Sequence, residues 1–355
     1  MKENEVKIIR ASSSKEWREE LISFGNIDVC YLPEYHLAYE NVLKDAKAIM
    51  WSFENENNKF CYPFFISQIK LTNDEKSIRT PYFDISSVYG YSGPLSTSED
   101  SNFLSLAWKN FDSWAKKKKI INEFIRFSFS PDNRVFAHPE TEVLFNRKSA
   151  VFKLPDQKDK ILKDLGPKTR NMIKKAQKLD LFVKKLDFLK YKKEFMQIYL
   201  ESMEYNSAKD FFFYSDEYFL SLGKMKTNEI SLYGVFDGKD LISAAIILKS
   251  GKNSLYHLGC TNKKYLSSGA NNLCLFQASL DLSKEGFRLF NFGGGRTINP
   301  DDPLLKFKKN NSNELVDFFI GKRILDKEAY NYILNQWNEM NGINKTSINL
   351  QFYKD

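Results

Sequence analysis

Cysteine is scarce. Four occur in 355 residues, at Cys30, Cys61, Cys260 and Cys274. None forms a Cys-x-x-Cys pair, so neither a disulfide framework nor a zinc site of the usual spacing is expected. Histidine is scarcer, at His36, His138 and His257, which argues against a histidine-rich metal centre; no metal is expected. A Ser-His-Asp hydrolase would need one of these three and a Gly-x-Ser-x-Gly elbow, and the elbow is missing. Also missing are the Gly-x-x-x-x-Gly-Lys-Ser/Thr phosphate loop and the Gly-x-Gly-x-x-Gly turn, which removes most of the case for an NTPase, a kinase or a dinucleotide enzyme. The longest apolar run, Leu241 to Leu248, is broken by Ser243 and falls far short of the ~20 residues that span a bilayer. The charged start Met1-Lys2-Glu3-Asn4-Glu5 has no signal-peptide core. No transmembrane segment and a cytoplasmic location are therefore expected.

What is present is apolar bulk. Hydrophobic residues make up 42%, with 30 Phe and 18 Tyr, enough to bury a large core. At ~150 residues per domain the length suggests about two domains. The 53 Lys and Arg exceed the 45 Asp and Glu by a net +8, and the excess is local. Residues 153–193 hold 14 Lys and Arg against 5 Asp and Glu, so the remainder is close to neutral. Within this segment Met172, Ile173, Ala176 and Leu179 form one apolar stripe, predicting a helix over 168–179 that starts after Gly166-Pro167. Arg170, Lys174 and Lys178 fall on another face. An anion-facing surface and a solvated lysine-rich face are both compatible with this pattern. Lys168 and Arg170 are the candidates for binding a substrate phosphate.

The second half reads as strand 230–236, an Asp237-Gly238 turn, strand 241–248, a turn over 250–253 and strand 254–260. A loop over 261–270 leads to helix 271–285, closed by Gly286. Strand 287–292 then runs into Gly293-Gly294-Gly295-Arg296. The first half repeats this order loosely, with a hairpin of 48–53 and 60–70, a segment 81–94, a helix 103–117 and a strand 124–129. Two related α/β domains are expected.

Two features carry candidate chemistry. The first is Ser267-Ser268-Gly269-Ala270 before a helix. A first helical turn leaves N–H groups unpaired and carries partial positive charge, so Ser267, Ser268, Gly269, Ala270, Asn271 and Asn272 form a candidate cradle for pyrophosphate or carboxylate. A plain helix cap reads the same way. The second is the glycine triplet followed by Leu304-Leu305-Lys306-Phe307-Lys308-Lys309. Three glycines at a strand end are costly to order, which either a close ligand or a surface bulge would explain. Read as extended, Lys306 and Lys308 share one side and Phe307 faces the core. His257 is a candidate base, although a strand histidine is more often a hydrogen-bonding core residue. Tyr205 and Tyr214 are candidates for stacking on a sugar or base.

Tyr256-His257-Leu258-Gly259, Asn271-Asn272-Leu273, Phe292-Gly293-Gly294-Gly295 and Leu304-Leu305-Lys306-Phe307-Lys308 together resemble the FemABX family, within the GNAT superfamily of N-acyltransferases. Arg170 to Ala176 resembles that family's basic helix, and Tyr82 to Pro94 its first-domain segment ending in Gly-Pro. The resemblance implies an α/β (α+β) fold of two tandem GNAT-like domains, each a mixed, mostly antiparallel sheet flanked by helices. It places them at 1–150, completed by 315–355, and at 151–314. It implies acyl transfer to an amine. The donor would be an acyl-CoA-type thioester and the acceptor an amino sugar or cell-envelope precursor. The alternative is an aminoacyl-tRNA-dependent transferase acting on a peptidoglycan precursor. Either donor would be a cosubstrate rather than a resident cofactor, and partners would be a nucleotide-linked amino sugar or a lipid-linked cell-wall precursor, with tRNA in the alternative case and no DNA. By the family's Phe-Lys motif Lys308 would lie near the reacting groups, where it could stabilise an oxyanion or phosphate; Arg296 and Lys306 are candidates for an acceptor phosphate or carboxylate, and Tyr256 for substrate binding. A GNAT donor loop reads Arg/Gln-x-x-Gly-x-Gly/Ala; the same place here keeps Gly269-Ala270 and lacks the first glycine. A non-catalytic RNA-binding protein using the 153–193 charge is the third reading.

Overall fold

The computed structural model describes residues 5–55, 57–343 and 349–354. The chain opens with β1 (Glu5–Arg10), α1 (Ser14–Leu21), α2 (Pro33–Val42), β2 (Ala46–Asn55), β3 (Asn58–Thr72), β4 (Ser77–Ser86) and the short β5 (Leu95–Ser96). Next come α3 (Ser101–Lys117), β6 (Ile120–Arg126), β7 (Glu142–Lys153), α4 (Lys158–Asp164), α5 (Pro167–Lys178), β8 (Phe182–Leu186), α6 (Phe188–Tyr205) and α7 (Asp216–Leu222). The remainder is β9 (Ile230–Asp237), β10 (Asp240–Ser250), β11 (Asn253–Thr261), α8 (Ala270–Lys284), β12 (Leu289–Gly294), α9 (Pro303–Asn310), β13 (Glu314–Ile324) and α10 (Lys327–Asn341).

Contacts divide the chain into two units, one of Met1–Gly25, Cys30–Phe145 and Phe319–Asp355, the other of Asn26–Val29 and Asn146–Phe318. In the first unit the strands lie in the order β1-β2-β3-β4-β6-β13. Every neighbouring pair is antiparallel except β4 with β6, which α3 connects. The Asp100 carboxylate caps α3 by accepting the Phe103 N–H at 2.8 Å. That helix then presents Phe103, Ala107, Trp108, Phe111 and Ala115 to the sheet, where they meet Trp51, Tyr62 and Phe64. Phe103, Ala107, Phe111 and Ala115 recur every four residues, with Trp108 three before Phe111, which keeps this face continuous.

The second unit repeats the order: β8-β9-β10-β11-β12-β7. Again all pairs are antiparallel except one, β11 with β12, connected by α8. Ile242 to Leu248 of β10 are all buried, as a central strand covered on both faces requires. One face packs under α5 and α8, through Ile173, Ala176, Leu273, Cys274 and Ala278 against Tyr233, Val235, Ala245 and Ile247.

Three local expectations are corrected. The strand expected over 124–129 is Ile120–Arg126, and the strand expected over 287–292 is Leu289–Gly294, so two of the three glycines lie inside it. The extended reading of 304–309 fails because that stretch is α9. Asp302 accepts the Leu304 and Leu305 N–H groups at 2.9 and 3.0 Å, and Pro303 at the first helical position fixes φ for the turn. Among the described residues no helix is long and apolar enough to cross a membrane, and no group of three or more His, Cys, Asp or Glu side chains is placed to hold a metal ion.

Candidate functional site

The second unit's sheet opens between its two parallel strands. β11 and β12 pair only at Asn253–Leu255 with Leu289–Asn291. Immediately beyond, both lips are irregular. On β11, Tyr256 faces Ile247 and Leu258 faces Ile246, leaving His257 as an extra residue. On β12, Asn291 faces Val151 and Gly293 faces Ala150, leaving Phe292 extra. Such bulges bend a strand and re-aim its side chains. Burial changes at the same place. Asn253 to Leu255 are buried, whereas Tyr256 to Gly259 and Gly293 to Gly295 are only half-buried. The result is a wedge in the middle of a sheet, closed at one end by the ladder and flanked by backbone groups released from pairing.

The first unit has the same parallel pair but no wedge. Beyond β4, the segment Ser87–Pro94 stays stitched to β6 and its continuation. Ser87 N–H donates to Phe124 O at 2.9 Å, Ser92 N–H to Arg126 O at 2.8 Å, and Ser128 N–H to Ser92 O at 3.1 Å. The Asn133 side-chain amide, fully buried, donates to Ser92 O and Pro94 O at 2.9 and 3.0 Å.

Lys308 sits on the β12 lip of the wedge. Its Nζ donates to Gly294 O at 2.8 Å. Burial pulls its pKa from 10.5 down to about 8, with Arg147 pushing the same way and Asp302 opposing. The surrounding frame is tied together by hydrogen bonds. The Asp302 carboxylate, besides capping α9, accepts the Arg296 and Thr297 N–H groups at 3.1 and 3.0 Å. Arg147 Nη1 donates to Gly295 O at 2.9 Å. These contacts also account for the glycines. A Cβ on Gly295 would lie 2.6 Å from Asp302 Oδ1, one on Gly294 would lie 2.8 Å from Arg147 Cδ, and Gly293 has φ +76°. The chain's own side chains fill the room that a close ligand was invoked to explain.

On the β11 lip, the Tyr256 ring lies over Gly259, where a Cβ would fall 1.9 Å from its hydroxyl. Burial raises its pKa, and Asn271 Nδ2 lies 3.4 Å from its Oη. His257 is held elsewhere: its Nε2 is 2.6 Å from the hydroxyl of buried Tyr218, on which Tyr214 stacks at 4.0 Å. Burial lowers the His257 pKa to about 3, so the ring is neutral and a weak base at physiological pH. Tyr214 is itself a core residue, not an exposed stacking platform.

The loop before α8 is a packed joint. Gly269 has φ +87°, and a Cβ there would lie 2.2 Å from the Met172 carbonyl of α5. Ser268 Oγ accepts the Ala270 N–H at 3.1 Å, and Ser267 O accepts Lys175 Nζ at 2.7 Å. Among the described residues, that leaves the Asn271 and Asn272 N–H groups as the open donors of the first turn. The Asn272 side chain donates to Asn311 Oδ1 at 3.2 Å.

The remaining candidates scatter. Tyr205 is exposed and lies under Lys263, whose Nζ is 5.0 Å from the ring centre. Arg296 reaches Asn206 Oδ1 at 3.4 Å. The end of α6 therefore touches the loops that follow both lips. Lys306 is exposed and paired with Asp301 at 2.9 Å, on another side of α9 from Lys308; residues two apart on a helix point about 200° apart, which corrects the shared face expected for them. Lys168 is exposed on the first turn of α5. Arg170 is committed to backbone, donating to Lys163 O and Leu165 O at 3.1 and 2.5 Å. Sequence reasoning missed Arg147, Tyr218 and the capping role of Asp302. Only the last had a signal, an Asp-Pro pair before two leucines.

No family model and no curated protein matches the sequence. Solved structures do. FemX shares 14% identity, covering 93% of this chain and 99% of its own, with a TM-score of 0.70. L-PGS from Bacillus licheniformis shares 13%, covering 90% and 95%, with a TM-score of 0.56. The C-terminal domain of a putative lysylphosphatidylglycerol synthetase from Agrobacterium fabrum shares 10%, covering 92% and 96%, also at 0.56. Two repeats of a mostly antiparallel sheet, each with one helix-bridged parallel pair and overlaying FemX along nearly its whole length, give this chain the FemABX/GNAT-like fold.

Proposed function

We propose that the second unit is an N-acyltransferase that moves an acyl group from an acyl-CoA-type thioester to an amino group of an amino-sugar or cell-envelope precursor. The observation that carries this reading is the open wedge between β11 and β12 with the Lys308 ammonium on its lip. Backbone groups released from a ladder pair readily with an extended, amide-bearing chain, which is the form of a pantetheine arm. Acyl transfer to an amine needs alignment and charge stabilisation more than covalent help from the protein. The neutral amine attacks the thioester carbonyl, the C–N bond forms, the C–S bond breaks, and the amine's proton goes to solvent or to the departing thiolate. Lys308 stabilises the oxyanion in between. The Tyr256 hydroxyl on the opposite lip, kept neutral by burial, is a second candidate donor. His257 is assigned no proton transfer. Tyr205, Lys263 and Arg296, beside the loops that follow the lips, supply an aromatic face and two cations for a phosphorylated sugar acceptor, and exposed Lys168 is a further candidate for that phosphate.

The reading is tested by incubating the purified chain with acetyl-CoA and a panel of nucleotide-linked amino sugars while following free thiol. Acceptor-dependent thiol release supports it. Release with no acceptor in the panel, or none at all, counts against it. The second reading, an aminoacyl donor carried on tRNA, is favoured by the likeness to a lysylphosphatidylglycerol synthetase domain; transfer of label from aminoacyl-tRNA with acyl-CoA inert would select it.

A further inference from the structure

The outer edge of the second unit carries exposed apolar side chains ringed by lysine. β8 ends the strand order and pairs only with β9. Phe182 on this edge is 38% exposed and stacks on Phe236 at 5.7 Å. Lys184 lies over both rings, its Nζ 5.1 and 5.5 Å from their centres. Next in the chain, Leu189 on the first turn of α6 is 57% exposed and lies against Gly223 at the end of α7. Leu220, on the last turn of α7, is 44% exposed. Lys190 and Lys193 flank Leu189 on the solvent side of α6. Residues 178–193 hold six lysines and two aspartates. Lys185 pairs with Glu285 and Lys192 with Asp216. Among the described residues, Lys178, Lys184, Lys190 and Lys193 have no carboxylate partner.

We infer that this edge docks on an anionic lipid surface. Three large apolar side chains, on three consecutive elements, are exposed at 38%, 57% and 44%. Unpaired lysines beside them complement anionic headgroups, and aliphatic or aromatic tips beside lysine are the pattern of interfacial binding. RNA is the weaker partner for this edge, because two of the three tips are leucines that cannot stack on bases. The inference does not depend on the transfer reaction, and its test does not use turnover.

The test is co-sedimentation of the full chain with phosphatidylcholine vesicles and with vesicles containing about 30% phosphatidylglycerol. The parent should pellet with the anionic vesicles only, and high salt should release it. Leu189→Ser with Leu220→Ser should weaken partitioning about tenfold. Lys184→Glu, Lys190→Glu and Lys193→Glu combined should weaken it about a hundredfold. All five positions are at the surface, and an unchanged circular dichroism melt confirms that the variants are folded. No pelleting of the parent with anionic vesicles overturns the inference. So does equal pelleting of the folded variants, or binding of polyuridylate under the same salt with vesicles ignored.

Discussion

Replacing Lys308 with Met separates chemistry from folding. The ammonium is held at about 8 in place of 10.5, which corresponds to about 3 kcal/mol against the charged form at neutral pH. Met removes that cost but leaves Gly294 O, now bonded at 2.8 Å, without its donor, which costs about 1–3 kcal/mol. The two nearly cancel, so Met, which keeps the apolar stem, should leave the melting temperature close to the parent's. Turnover should not survive. Loss of one oxyanion donor typically costs about 10²–10³ in rate, or roughly 2.7–4 kcal/mol. The pH profile gives a second handle. Lys308 must be protonated to act, so activity should fall as pH rises through about 8. Lys308→Arg should move that limb upward, because a guanidinium stays charged. The assay is thiol release from the donor that the parent uses, with melting followed on the same samples. A Met variant within a few-fold of the parent's rate refutes the reasoning. So does a rate loss that merely follows a collapse in melting temperature.

Removing Arg147 with Met should raise the Lys308 pKa, since the two cations oppose each other, and should shift the alkaline limb upward; an unmoved limb counts against their coupling. Gly269→Ala places a Cβ 2.2 Å from the Met172 carbonyl at φ +87°, so stability should drop by about 2 kcal/mol or more in urea unfolding, and an unchanged midpoint would show that the joint yields. A valine there cannot isolate donor binding from folding. Acid should destabilise both units: folding lowers the pKa of His36 from 6.5 to about 4 and that of His257 to about 3, so the unfolded chain takes up protons first and stability falls as pH drops below 6.5, by about 2 kcal/mol per histidine at pH 5. His257→Gln should flatten that slope in the second unit, and a parent whose urea midpoint is flat between pH 6.5 and 5 would contradict the lowered pKa of both histidines.

The hairpins and the crossover helices were legible because local chemistry and burial agree there. Asp237-Gly238 has a turn's composition, and the turn falls one residue on, at Gly238-Lys239 between paired Asp237 and Asp240; the apolar run Leu241 to Leu248 is a central strand. The site was legible only in part. Lys-Phe-Lys over 306–308 alternates like a strand, yet Asp302 and Pro303 start a helix whose capping is worth about 1 kcal/mol. The wedge has no signature, because it arises from one extra residue in the register of each lip, His257 and Phe292, and pairing register is a property of two strands. Arg147 lies on a strand of mixed exposure that nothing local distinguishes. Arg170 shows the converse: its charge belongs to a basic segment, but the end of α4 offers it two carbonyls, and composition cannot tell a cation facing solvent from one facing backbone.

The stitched segment Ser87–Pro94 bears on stoichiometry. A chain that repeats one fold twice would be expected to hold two equivalents of an extended ligand. With the Asn133 amide holding Ser92 and Pro94 in place, the first copy has no gap to offer without losing buried hydrogen bonds. Titration with a ligand that threads the β11–β12 gap should therefore saturate at one equivalent per chain, and the internal repeat should be invisible in the binding isotherm.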